Sequence, residues 1–267
     1  DLPYPVLDPA RPGKELTADQ ASAALTLAAG VESGAYGTTL LKGVTGSGKT
    51  EVYLEAVAAC LRKGRQALVL LPEIALTSEF LKRVEERFGA RPAEWHSGAT
   101  MTERRRIWRM VGQGDAQMVV GARSALFLPF QNLGLIVVDE EHENTYKQDV
   151  SPRYHGRDIA VLRGHFEDAV VLLGSATPSL ESFANTQKGK YELVEMKQRA
   201  DGQSLPIIRV LDMRIEAQKQ KSSMVVLSDK LRSSMTEKLE NGEQVILFLN
   251  RRGFARSLQC PPCGHVC

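Results

Sequence analysis

The sequence predicts an α/β fold, a parallel sheet with helices on both faces, on three observations. Short apolar runs at 66–71, 117–120, 135–138 and 169–173 are rich in Val, Ile and Leu and lack polar alternation. Such runs mark strands covered on both faces. Stretches with apolar residues at helical spacing separate them. A complete G-x-x-x-x-G-K-T run, Gly43 to Thr50, stands between a predicted strand and a predicted helix, the context that gives this motif its meaning.

Taken in order, residues 1–15 are rich in proline and read as a linker. A helix follows Thr17, with Ala21, Ala24, Leu25 and Ala28 as its apolar positions. Thr38–Lys42 is a strand. Lys49–Arg62 is a helix with Tyr53, Val57, Cys60 and Leu61 on one face, stopped at Gly64; Cys60 on that face is core. Thr77 caps a helix carrying Phe80, Leu81, Val84 and Phe88 and ending at Gly89. Thr100 and Glu103 form a capping-box pair opening another, which bears the basic run Arg104, Arg105, Arg106 and Arg109. After Lys190 the pattern loosens. Strands are expected at Tyr191–Met196, Ile207–Leu211 and Val245–Leu249, a polar exposed stretch at Glu216–Ser223, and a helix at Leu227–Leu239.

Bulk composition excludes some classes. The 267 residues carry 34 Lys+Arg against 32 Asp+Glu, a net charge of +2, so any nucleic-acid surface must be a local basic face. No apolar run approaches the ~18 residues of a membrane span. Three of the four cysteines fall in the last eight residues, which is not a disulfide framework. The bacterial cytoplasm is the expected location, and no membrane partner is expected. The chain starts at Asp1 and stops inside a cysteine cluster, so both ends read as cuts in a longer protein.

The motif residues carry the chemistry. Gly43, Val44, Thr45, Gly46, Ser47 and Gly48 can turn backbone N–H groups around phosphates at a helix start. Lys49 reaches the β- and γ-phosphates and Thr50 offers a hydroxyl to Mg²⁺, so ATP and Mg²⁺ are the expected cofactors. Asp139 and Glu140 end the apolar run 135–138. Strand ends of a parallel sheet line one crevice, which sets Asp139 to hold Mg²⁺ and Glu140 to orient or deprotonate the attacking water. No Asn-Lys-x-Asp guanine reader is present.

Asp139-Glu140-Glu141-His142 resembles the DEAH-type box of superfamily-two helicases in its DEEH form. Gly174-Ser175-Ala176-Thr177 resembles the SAT motif of the same superfamily. Leu16 to Gln20 resembles its adenine-reading segment, with Gln20 as the contact. Leu71-Pro72-Glu73-Ile74, His96-Ser97-Gly98, Gly121-Ala122-Arg123-Ser124, Tyr146-Lys147-Gln148, Arg153-Tyr154-His155-Gly156-Arg157-Asp158 and Phe248-Leu249-Asn250-Arg251-Arg252-Gly253 are similar, in order, to segments of the PriA family of replication-restart helicases.

The resemblance implies a RecA-like helicase lobe over 16–200, a connector over 201–230 and the start of a second lobe over 231–267. It implies an ATP-dependent 3′→5′ DNA helicase that remodels stalled forks and begins primosome assembly. Its partners would be forked or single-stranded DNA, primosome proteins and single-strand DNA-binding protein. His142, Gly174, Ser175, Ala176 and Thr177 would couple hydrolysis to movement. Pro72, Glu73, His96, Ser97, Arg123 and Ser124 would meet the DNA backbone. Tyr146, Tyr154 and His155 would stack on bases, with Lys147 and Arg153 on phosphate. One departure is Pro152, where many relatives carry Trp. Cys260 and Cys263 resemble half of the family's Zn²⁺ site, with the remaining ligands beyond Cys267.

Two other readings stay open: a nucleotide- and DNA-binding module without activity of its own, and another superfamily-two translocase. Arginines from a complete second lobe would lie past Cys267, so this chain alone is expected to bind nucleotide weakly and to hydrolyse little.

Overall fold

The structure, a computed structural model, describes residues 4–72, 75–203, 207–219 and 227–248. The chain divides into two compact units, Asp1–Ser204 and Leu205–Cys267.

The first unit is built on seven parallel strands. These are β1 (Gly37–Gly43), β2 (Gln66–Leu70), β3 (Ala93–Trp95), β4 (Met118–Gly121), β5 (Leu133–Val138), β8 (Val170–Ser175) and β9 (Glu192–Met196), in the order β3-β4-β2-β5-β8-β1-β9. Every residue of β2, β4, β5 and β8 is buried, as their unbroken apolar runs require. A short antiparallel ribbon, β6 (Lys147–Gln148) with β7 (Tyr154–His155), stands outside this sheet.

Helices close both faces. On one side α1 (Ala18–Ser33), α2 (Lys49–Arg62) and α3 (Ser78–Phe88) pack Leu27, Val57 and Phe88 against the sheet. On the other, α4 (Met101–Gln113) and α5 (Gly156–Phe166) contribute Ile107, Val111 and Ala160. Cys60 is fully buried, as core. The short α6 (Leu180–Gln187) follows β8. The caps are those of the sequence: Thr17 and Thr100 each close a capping box, Thr77 accepts from Phe80 N, and Gly89 ends α3 in the left-handed region. Ribbon β6–β7, strand β3 and helices α5 and α6 were not expected.

In the second unit α7 (Met213–Lys219) runs into the stretch expected to be exposed; Glu216 is buried, its Oε2 accepting from Asp229 N at 3.0 Å, and residues 220–223 lie outside the described residues. α8 (Asp229–Glu240) forms with Ser228 as its cap. The strand expected at 207–211 is absent: Ile207, Ile208 and Val210 are 84–92% exposed with no ladder. Residues 245–248 likewise form no strand and expose Ile246 and Phe248; Leu249 lies outside the described residues. An apolar run becomes a strand only when a neighbouring strand takes up its backbone groups, and the described part of this unit offers none.

Candidate functional site

Chain geometry brings the motif residues together along the carboxyl edge of the sheet. β1 delivers the loop Gly43–Gly48, and α2 begins at Lys49. Gly48 sits at φ 77°, in the left-handed region, and the Gln20 amide leaves no room beside it for a Cβ. Gln20 is buried and works twice. Its Oε1 accepts from Thr17 N at 2.9 Å, and its Nε2 donates to Ser47 O at 2.9 Å. Lys49 Nζ donates to Gly43 O at 3.3 Å. Ser47 Oγ is buried with no hydrogen-bond partner among the described residues.

β5 delivers Asp139 and Glu140 to the same cleft, a cavity of about 480 Å³ lined also by Thr17, Gln20, Gly46, Gly48, Lys49, Thr50 and Arg83. Asp139 Oδ1 accepts from Glu140 N at 3.0 Å and Oδ2 from the Tyr53 hydroxyl at 3.1 Å. The Tyr146 hydroxyl donates to Asp139 O at 2.6 Å and to Leu70 O at 3.1 Å. Burial first, and then the Glu140 charge, push the Asp139 carboxyl from 3.8 up to about 6, against the pull of Lys49. Burial and the Asp139 carboxylate push the phenols of Tyr53 and Tyr146 well above 10. Glu140 itself lies at φ 48°, in the left-handed region.

That raised carboxyl sets a pH dependence. With its folded value above the unfolded one, the folded protein binds more protons between about pH 4 and 6, so Asp139 lowers stability as pH rises through that window. In metal-free buffer, Asp139→Asn should gain on wild type by about 2 kcal/mol between pH 4 and pH 7, partial access of water to the cleft trimming the full shift. Urea unfolding of both proteins at the two pH values checks this. A difference that stays flat with pH would mean the carboxyl is not desolvated.

The DEEH and SAT segments meet. His142 Nδ1 lies 2.7 Å from Ser175 Oγ and 3.7 Å from Glu140 Oε2, and its Nε2 lies 3.4 Å from Thr177 Oγ1. Gly174 approaches Asp139 so closely that a Cβ there would sit 3.2 Å from Oδ1, and its carbonyl accepts from Glu141 N at 3.0 Å. Ala176 is half-buried beside them.

Sequence reasoning passed over Glu141. It is fully buried; Oε1 takes Ser179 N at 2.7 Å, and Oε2 takes Arg157 Nη1 at 3.2 Å, Ser179 Oγ at 2.9 Å and Ser182 Oγ at 2.8 Å. Two acidic residues already had roles in the DEEH box, and no local pattern marks the third as buried. Arg199 was missed too. Ala200 N donates to Gly46 O at 2.9 Å, setting the Arg199 guanidinium, paired with Asp201 at 2.8 Å, against the phosphate loop. Its sequence surroundings carry no motif.

Of the expected DNA-side residues, Pro72, His96, Ser97, Arg123 and Ser124 follow β2, β3 and β4, away from the phosphate loop along the same edge, and Lys147, Tyr154 and His155 stand on the β6–β7 ribbon. Pro72, Arg123 and Tyr146 share a cavity of about 290 Å³. Arg123 Nη1 donates to Thr145 O at 3.0 Å and also to Lys147 O. Ser124 Oγ accepts from Trp95 Nε1 at 3.1 Å. Arg104 donates to His96 O and Ser97 O, 3.0 Å each, so the basic helix braces this loop. Lys147 and Arg153 are exposed, Lys147 paired with Asp149 at 3.1 Å.

One stacking expectation needs correction. Tyr146 is 1% exposed and spends its hydroxyl on the core, so its ring presents no face to a base. His155 caps α5, its Nδ1 accepting from Arg157 N at 3.3 Å; burial and the Arg157 charge hold its imidazole below the usual range. Tyr154 packs edge-on against the half-exposed Phe127, ring centres 5.4 Å apart. Glu73, Cys260 and Cys263 lie outside the described residues, so the Zn²⁺ half-site lies there too.

The donor set fits nucleotide and magnesium. The loop Gly43–Gly48 leads into the N-terminus of α2, where a helix start favours phosphate, beside the buried Ser47 hydroxyl. Thr50 and Asp139 offer hard oxygen atoms, the ligands Mg²⁺ takes. No helix among the described residues is long and apolar enough to cross a membrane.

Comparison with known proteins agrees. The chain is 44% identical over 251 residues to the replication restart protein PriA of Bacillus subtilis, covering 94% of this chain and 31% of that protein. It is 47% identical over 227 residues to the PriA of Rickettsia felis, covering 85% and 35%. The chain thus spans about a third of the length of the curated relatives it matches. Its fold is similar to that of RecG bound to a three-way DNA junction (TM-score 0.53, 24% identity, 69% of this chain and 24% of that one). It is also similar to the Hef helicase domain of Pyrococcus furiosus (TM-score 0.51, 16% identity, 83% and 53%). The DEAD/DEAH box helicase family model matches residues 17–186, from the cap of α1 into α6, and the chain belongs to that family.

Proposed function

We propose that this chain is the ATP-binding motor lobe of a DNA helicase that moves 3′→5′, remodels stalled replication forks and starts primosome assembly. The observation that carries the reading is the convergence of Lys49, Thr50, Asp139 and Glu140 on one cleft, with the β2, β3 and β4 loops along the same edge. In this reading the loop N–H groups and Lys49 hold the β- and γ-phosphates. Thr50 and Asp139 hold Mg²⁺, which neutralises charge on the transferring phosphoryl group. Glu140 orients and deprotonates the attacking water. His142, between Glu140 and Ser175, passes the state of that water to the SAT segment. Pro72, Ser97, Arg123 and Ser124 face the DNA backbone; Tyr154 with Phe127 offers the aromatic surface, and Lys147 and Arg153 the charge. Zn²⁺ on Cys260 and Cys263, and primosome proteins and single-strand DNA-binding protein as partners, belong to the same reading through the PriA relatives.

The test is ATP hydrolysis with and without single-stranded DNA, on the protein at the full length of its relatives and on this chain. Expected are strong stimulation by DNA at full length and slow hydrolysis by the chain, because arginines of a second lobe supply about 10³–10⁵ of the rate in such motors. Full-length hydrolysis indifferent to DNA would leave an ATPase but sink the helicase assignment. Displacement assays on 3′- and 5′-tailed duplexes decide the polarity.

A further inference from the structure

We propose that Tyr53 is a positioning residue for the nucleotide-bound metal: its phenol fixes the Asp139 carboxylate in the orientation that meets Mg²⁺. The proposal rests on the nucleotide-site reading above.

Tyr53 lies on α2, three residues after Thr50, so the two share one helix face. Long side chains on a helix lean back toward its N-terminus, which carries the Tyr53 hydroxyl toward the phosphate loop. There it donates to Asp139 Oδ2 at 3.1 Å, in the cleft that Thr50 also lines. The ring is 0% exposed and belongs to the core between α2 and the sheet. A fully buried ring therefore holds the Asp139 carboxylate, one of the two oxygen groups proposed to face the metal. Asp139 has little freedom left: Oδ1 takes Glu140 N, and Gly174 closes the side away from the cleft. Without the phenol, Oδ2 would lose its only bond to another element among the described residues.

The core alone does not call for this hydroxyl. Phenylalanine would fill the same volume, and a buried hydroxyl has a desolvation cost that only its hydrogen bonds offset. A purely structural Tyr53 would affect folding and leave the metal dependence of nucleotide binding untouched.

The test is titration of a fluorescent ADP with the whole chain at a series of Mg²⁺ concentrations, and again in EDTA, for wild type, Tyr53→Phe, Asp139→Asn and the double variant. In Tyr53→Phe the Mg²⁺ needed for half-maximal binding should rise about ten- to a hundredfold, the worth of one hydrogen bond to a charged group. Binding in EDTA should not move. On the Asp139→Asn background the second substitution should add nothing to the Mg²⁺ dependence. Should Tyr53→Phe fold poorly, 3-fluorotyrosine at the same position keeps the shape and sharpens the donor, and the Mg²⁺ midpoint should shift. A variant that matches wild type in Mg²⁺, or loses equal affinity in EDTA, overturns the proposal alone. A wild-type chain that binds no nucleotide at any Mg²⁺ concentration overturns the nucleotide site, and this with it.

Discussion

Glu140→Gln should slow ATP hydrolysis by about 10²–10⁴-fold, the usual worth of a general base, while nucleotide binding survives. Glu140 takes no part in building the phosphate cradle; it only borders the cleft. Its backbone is held in an expensive conformation. φ is 48°, its N–H is tied to Asp139 Oδ1 at 3.0 Å, and its carbonyl accepts from Glu143 N at 2.9 Å. A non-glycine residue in the left-handed region costs about 1–2 kcal/mol, and such strain persists where the surroundings over-determine it, often at working sites. Lys49→Ala gives the contrast. It removes the cradle's fixed positive charge, so affinity and rate should fall together. Paired measurements of binding and turnover in both variants check this. Wild-type turnover in Glu140→Gln beside a dead Lys49→Ala would place the base elsewhere.

Glu141→Leu should destabilise the protein by about 3–5 kcal/mol, because it strands a buried guanidinium. Arg157 is 7% exposed and Glu141 0%. Arg157 would keep Asp158 at 3.0 Å and Ser179 Oγ at 2.7 Å, neither of which matches a fully buried carboxylate. Replacing both residues with Leu should recover part of the loss. Full recovery is not expected, since Ser179 N–H and the hydroxyls of Ser179 and Ser182 also rely on Glu141. Urea unfolding of the two single variants and the double closes the cycle. A Glu141→Leu protein as stable as wild type would show that the pair is not formed in solution.

The sequence was most legible where a single local signal settles the outcome. Thr17, Thr77 and Thr100 announce helix starts because a side-chain oxygen near a free N–H is a local bond, and the structure places a helix after each. The turn at Gly43–Gly48 was legible for the same reason, and the structure places it between β1 and α2. Signals that depend on distant partners misled. The apolar run 207–211 has strand composition but no neighbour strand among the described residues. α5 begins at a glycine under a histidine cap, an unusual start that gives little warning. Tyr146 sits among polar residues, and only the fold shows that its hydroxyl reaches the backbone of β2 and the end of β5. Glu141 is hidden in the same way: three acidic residues in a row look alike until the sheet sends Asp139 and Glu140 to the cleft and Glu141 to the interior.

The strand β9 bears on where this unit can be cut. The family match ends at residue 186, before β9 begins at Glu192. Yet β9 covers the outer side of β1, and its last residue and those just after it tie down the loop and α1: Val44 N donates to Met196 O at 3.1 Å, Ala200 N to Gly46 O at 2.9 Å, and Lys197 N to Asp19 Oδ2 at 3.0 Å. A piece trimmed to the matched segment would bare the strand that feeds the phosphate loop, giving it an unpaired flank open to other chains, and would leave the loop without its clasp. The smallest self-contained piece therefore runs to about residue 201, some fifteen residues past the point where family likeness stops.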